Sequence, residues 1–208
     1  MVIIATKISY WLPLVIKNAA DKIKDANIYF VGTQQCIKFL KSKFGSSIQY
    51  RVIGDFNKIE SYNWLLLNRV FWELFNEEYL LIFQPDCLLI NTINNDFYKY
   101  DYIGAVCGNV SNDSTFTING GLSLRRRLAM IDVCKGLNEK ENSGNINEDI
   151  IFTQKMRAQP YKYNMPSMHA CNQFAIESYG NIDTCVGIHG TDKYYIDPTI
   201  LSKFSTLV

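Results

Sequence analysis

A chain of 208 residues with 48% hydrophobic and 13% aromatic content can bury one full core, which excludes a disordered polypeptide. Lys and Arg number 21 against 20 Asp and Glu, so a net charge of +1 supplies no global field for nucleic acid or an anionic membrane, and an anionic ligand needs a local pocket. The cysteines (Cys36, Cys87, Cys107, Cys134, Cys171, Cys185) lack C-x-x-C spacing and lie mostly in apolar runs, which predicts small buried hydrophobes in a reducing compartment rather than a zinc site or a disulfide framework.

The apolar stretch before Lys7 is too short for a signal segment, and no run reaches transmembrane length. A soluble, cytoplasmic protein is expected, organised as one domain over residues 1–208.

The first ninety residues alternate in a β-α-β-α-β-α-β order: strand 2–6, helix 12–24, strand 27–31, helix 34–44, strand 47–53, helix 59–75 and strand 79–83. Strands separated by helices predict a mostly parallel central sheet flanked by helices. In the 59–75 helix, Trp64, Leu65, Leu67, Phe71, Trp72 and Phe75 recur at helical spacing, as expected of a face packed on a sheet rather than a sugar platform.

The run Tyr79-Leu-Leu-Ile-Phe-Gln-Pro-Asp86-Cys-Leu-Leu-Ile90 drives an apolar strand into one carboxylate and then resumes. Ligands of open α/β sheets bind at the carboxyl ends of strands, which makes Asp86 a candidate ligand or metal carboxylate; an Asp that begins a turn after Pro85 is the alternative. Beyond Ile90 come Asn- and Tyr-rich segments, a strand at 102–106 and a polar loop at 108–115. Asn119-Gly120-Gly121 reads as a glycine turn entering a short strand, either a plain turn or backbone that a ligand can approach closely, and a helix then runs to about Gly136. Of Arg125-Arg126-Arg127, one guanidinium can meet phosphate while two start a solvated helix.

After the loop 138–147, Asn147 is placed to cap a helix whose first turn carries Glu148 and Asp149. These carboxylates either complement the helix dipole or include a general base. His189, flanked by glycines after an apolar strand, is a candidate ligand for Mn²⁺ or Mg²⁺ with a phosphate completing the shell. His169 reads as a surface or packing residue, and a final helix is expected around 198–204.

Taken in order, Phe83-Gln-Pro-Asp86-Cys87, Tyr100-Asp-Tyr-Ile-Gly-Ala105, Asn119-Gly-Gly-Leu-Ser-Leu-Arg125, Asn147-Glu-Asp-Ile-Ile-Phe152, Phe174-Ala-Ile-Glu-Ser178 and Gly187-Ile-His-Gly190 resemble the GT-A-type nucleotide-sugar glycosyltransferases. The likeness is greatest to an uncharacterised domain family, domain of unknown function 5672, and covers roughly residues 60–190. It implies a Rossmann-like GT-A fold with a nucleotide-binding half (about 1–90) and an acceptor half (about 91–208). It further implies transfer of a sugar from a nucleoside diphosphate, expected to be UDP, to a hydroxyl of a glycan or related acceptor, with inversion.

In that resemblance Asp86 is the final carboxylate of a metal-binding Asp-x-Asp motif and His189 completes the shell of Mn²⁺ or Mg²⁺. Gly120 and Gly121 shape the cleft, Asp149 with Glu148 supplies the base, and Thr6, Lys7 and the Gly32 turn cradle the nucleotide. Two departures stand out: Gln84 replaces the first acid, able to bond a ribose hydroxyl but leaving the metal one negative charge poorer, and Val106-Cys107 stands where relatives have Pro-Trp. A catalytically silent domain that binds sugar nucleotide or glycan within a larger assembly is the alternative expectation.

Overall fold

Short apolar runs alternating with amphipathic ones build the first half of the fold. In the computed structural model, which describes residues 1–54, 58–107, 116–177 and 181–190, β1 (Val2–Ala5) and β2 (Tyr29–Gly32) are buried throughout, and β3 (Gln49–Val52) forms a more exposed edge. Helix α1 (Leu12–Lys22) starts with Pro13 in its first turn and buries Leu12, Val15, Ile16 and Ala19, an i, i+3, i+4, i+7 stripe. Helix α2 (Gln34–Phe44) is capped by Thr33, whose side chain accepts from the Cys36 amide, and ends at Gly45 in the left-handed region with φ +55°.

The single helix expected over 59–75 is two helices, α3 (Ile59–Leu67) and α4 (Arg69–Glu73). Asn68 breaks it by taking an extended conformation and accepting a hydrogen bond from the Val70 amide, so it caps α4 instead of continuing α3. Phe71, Trp72 and Phe75 are buried as expected, while Trp64 stays partly exposed.

Strand β4 (Tyr79–Phe83) lies at the centre of the core, and β6 (Tyr102–Cys107) and β7 (Thr117–Arg126) complete a six-stranded sheet of order β3-β2-β1-β4-β7-β6. The sheet is mixed rather than mostly parallel. Three pairings (β3 with β2, β2 with β1, β1 with β4) are parallel, and β7 runs antiparallel to both β4 and β6. Helices α5 (Arg127–Lys135) and α6 (Glu148–Arg157) follow, with a 3-10 turn at Glu141–Ser143 between them.

A second sheet of order β5-β9-β8 joins β5 (Leu88–Leu89), β9 (Gly187–Ile188) and β8 (Ala175–Ile176), the last reached through α7 (Met168–Phe174). Asn18 of α1 closes the open edge of β5: its amide nitrogen donates to Leu89 O at 3.0 Å and its amide oxygen accepts from Leu89 N at 2.9 Å. His169 is exposed on α7, and the six cysteines are free thiols. No helix among the described residues is long and apolar enough to cross a membrane. The expected loop 108–115, Ser178 of the Phe174 motif and the expected helix 198–204 lie outside the described residues.

Candidate functional site

One edge of the main sheet gathers chemistry because four of its strands deliver polar residues there. Strand β1 runs out into Thr6 and Lys7, β4 into Gln84-Pro85-Asp86, and β6 ends at Cys107. Strand β7 runs the other way, so its beginning, Asn119-Gly120-Gly121, lies at the same edge, tied to β4 by the Gln84 amide donating to Gly121 O at 2.9 Å. The carboxyl ends of parallel strands are where open α/β sheets hold ligands.

The small sheet brings His189 to this edge. Its backbone amide donates to Ile176 O at 2.9 Å, and Gly190 turns the chain away with φ +75°. The buried imidazole sets Nε2 at 3.0 Å from Gln84 Oε1 and 3.6 Å from Asp86 Oδ1, with Nδ1 at 3.4 Å from Glu177 Oε1. Ligand atoms of Asp86, Cys87 and His189 all lie within 4.8 Å of one another. Cys87 Sγ is directed to Gly121 O at 3.3 Å, which leaves a carboxylate, an amide oxygen and an imidazole as the donor set. Oxygen and imidazole donors of that kind fit Mn²⁺ or Mg²⁺, with phosphate oxygens filling the remaining positions.

Glu148 and Asp149 follow one another at the start of α6 and therefore point in different directions. Glu148 turns into the core. There it forms a bidentate ion pair with the fully buried Arg125, Nη1 to Oε2 at 2.7 Å and Nη2 to Oε1 at 2.9 Å. Arg125 also donates to Ser123 Oγ (2.8 Å) and Gly120 O (3.1 Å), and its guanidinium carbon lies 4.6, 5.5 and 5.6 Å from the ring centres of Tyr102, Phe152 and Trp72. Burial alone would pull the guanidinium pKa down, but Glu148 more than offsets this and holds the group charged. Arg125, expected as the donor-binding one of the three arginines, thus sits inside the core and not at a donor phosphate.

Asp149 instead lies against β7, within hydrogen-bond reach of the Gly120 backbone. Burial, and then the neighbouring charge of Glu148, push its carboxyl up to about 6, while hydrogen bonds from the backbone at Ile150 and Gly120 oppose the shift. Asn147 occupies the cap position without a capping hydrogen bond, and its Oδ1 accepts from Asn63 Nδ2 at 3.3 Å.

The two glycines are not a turn but the fourth and fifth residues of the ten-residue β7, and neither has positive φ. What demands glycine is space. A methyl at 120 would meet Glu148 Oε1 at 2.0 Å and Arg125 Nη2 at 2.5 Å; one at 121 would meet His189 Nε2 at 2.1 Å. Asn119 Oδ1 accepts from Gly121 N at 2.7 Å and so fixes this stretch beside Cys107.

Beside the Asp86–His189 cluster opens a cleft of about 410 Å³ lined by Thr6, Lys7, Ser9, Lys58, Tyr62 and Gln84 among others. Gly32 is not in it: a methyl there would lie 2.3 Å from Ala5 O, so the residue serves the close approach of β2 to β1. Lys58, Tyr62, Cys107 and Glu177 are site residues to which the sequence pattern assigns no role. Lys58 and Tyr62 precede and open a helix whose docking is decided by tertiary packing; Glu177 carried a signal, one acid ending an apolar run just as Asp86 does.

Comparison with curated proteins gave no match. Among solved structures, the chain is similar to the bifunctional IspDF from Campylobacter jejuni with 11% identity and a TM-score of 0.46, over 74% of this chain and 46% of that one. The chain therefore spans less than half the length of that protein. A model of the family described as protein of unknown function (DUF5672) matches residues 47–189, most of the chain and all of the Asp86, Asp149 and His189 segments, and the chain belongs to that family.

Proposed function

We propose that the chain is a GT-A-type glycosyltransferase that moves a sugar from a nucleoside diphosphate, a UDP-sugar, to a hydroxyl of a glycan or related acceptor. The observation that carries the reading is the meeting of Asp86, Gln84 and His189 at one sheet edge beside a lysine-bearing cleft, with the raised carboxyl of Asp149 held at the Gly120 backbone next to Gly121. Thr6, Lys7, Ser9 and Lys58 surround the space for the nucleotide, with the two ammonium groups supplying the local positive charge that the whole chain lacks. Asp86, His189 and the Gln84 oxygen would hold Mn²⁺ or Mg²⁺, which when bound neutralises the diphosphate as it leaves.

Asp149 removes the acceptor proton. Its raised carboxyl is a stronger base than an ordinary aspartate and remains ionised at neutral pH. As the acceptor oxygen bonds to the anomeric carbon, the bond from that carbon to the diphosphate breaks and the proton passes to the Asp149 carboxylate, which corresponds to inversion. Glu148 serves this step by holding Arg125 and by raising Asp149, not by touching substrate.

Release of nucleoside diphosphate from a panel of sugar nucleotides, with Mn²⁺ and with or without saccharide acceptors, tests the proposal. Turnover of a UDP-sugar is expected. Gln84, an amide where the resembling family has an acid, favours a silent binding module as the second reading, and tight UDP binding with no turnover of any donor would select it.

A further inference from the structure

We infer that Glu177 is a positioning residue for His189, fixing the ring so that Nε2 faces Asp86 and Gln84; this rests on reading His189 as a cation ligand. The pairing of β8 with β9 sets Ala175 opposite Gly187 and Ile176 opposite Ile188, so the next step in register brings Glu177 alongside His189. Glu177 Oε1 approaches Nδ1 to 3.4 Å with both side chains largely shielded from water, 9% and 4% exposed. Nδ1 makes no hydrogen bond with any described group, and Glu177 Oε1 is the carboxylate oxygen that approaches it. The opposite nitrogen faces Gln84 Oε1 and Asp86 Oδ1.

A neutral imidazole has one N–H, and this ring has acceptors on both sides. When Nε2 offers its lone pair to a cation, the proton must reside on Nδ1, and there Glu177 is the acceptor at hand. A carboxylate taking a hydrogen bond from the outer nitrogen of a histidine ligand fixes both tautomer and ring orientation and raises the basicity of the ligating nitrogen. Cys107 lies on the other side of the carboxylate: burial, followed by Glu177, raises its thiol to about 11, so the sulfur stays protonated there as a hydrogen-bond donor to Glu177 and adds no second anion. Gly121 completes the arrangement, since any side chain there would take the place of Nε2.

The test uses Mn²⁺ alone as probe, its free concentration read by electron paramagnetic resonance, together with long-range ¹H–¹⁵N spectra of the metal-free protein. The chain has two histidines, and the exposed His169 provides the reference signal. Glu177→Ala is expected to weaken Mn²⁺ binding by about 10- to 100-fold and to shift the His189 ring nitrogens, as loss of such a partner typically does. Glu177→Gln, whose amide oxygen still accepts, recovers part of the affinity and serves if the alanine variant does not fold. Unchanged Mn²⁺ affinity and ring shifts in both variants, with binding lost in His189→Ala, would overturn the role of Glu177 while leaving the ligand assignment intact. Wild-type affinity in His189→Ala would overturn the ligand assignment and the positioning role together.

Discussion

Gly121 and His189 compete for one space: a methyl group at position 121 would lie 2.1 Å from His189 Nε2, far inside van der Waals contact. Strand β7 therefore passes directly beneath the imidazole, and glycine is the residue that lets it. Gly121→Ala is expected to push the ring off Gln84 and Asp86 and to cut Mn²⁺ affinity at least as far as Glu177→Ala does, while the helical circular dichroism is retained. Free Mn²⁺ measured in the presence of each variant checks this.

Glu148 and Asp149, neighbours in sequence, are expected to fail in different ways. Glu148→Gln leaves the guanidinium of Arg125 buried with half its partner gone, and breaking a buried pair in this way costs about 3–5 kcal/mol. The loss appears in urea unfolding as a lower midpoint. Gly120→Ala should resemble it, because the added methyl would lie 2.0 Å from Glu148 Oε1.

Asp149→Asn carries the opposite sign. The native carboxyl titrates near 6, above the ordinary aspartate value of 3.8, so the folded state holds the proton more tightly than the unfolded one. The resulting stability is fully present below about pH 4 and is lost as pH rises through about 6, which at neutral pH amounts to roughly 2–3 kcal/mol of cost. Asp149→Asn should flatten that slope and melt higher than the wild type at pH 7. Turnover should fall by about 10²-fold or more, the usual contribution of a positioned base, and wild-type turnover should decline as pH falls through about 6. Melting curves and initial rates between pH 4 and 8 check both.

The parts of this fold that could be read from the sequence are those set by local pattern. The apolar runs of β1 and β4, the stripe on α1 and the Thr33 and Gly45 boundaries of α2 are properties of short segments, and they appear where the residues point. The direction of β7 is not local: a strand becomes parallel or antiparallel through the neighbour it pairs with, and β7 inserts between β4 and β6. The Gly120-Gly121 pair looked like a turn because the atoms that forbid a side chain there belong to Glu148, Arg125 and His189, which are distant in the chain or hidden in the core. Arg125 likewise looked like a phosphate ligand as one of three arginines, and only the closure of Trp72, Tyr102 and Phe152 around it makes it a core residue. Asp86 and His189, more than 100 positions apart, were both legible as polar residues ending apolar runs, and the two sheets bring them within 3.6 Å.

The central claim, that Asp86 and His189 hold a cation against a nucleoside diphosphate, is tested most directly by calorimetric titration of UDP into the protein with Mn²⁺, repeated in EDTA and with Asp86→Ala. UDP should bind in Mn²⁺, and at a hundredfold excess over Kd it should stabilise the fold by about 2.7 kcal/mol. Both EDTA and Asp86→Ala should abolish most of that binding. Equal UDP affinity in Mn²⁺, in EDTA and in Asp86→Ala, or no heat of binding under any of the three conditions, would contradict the account.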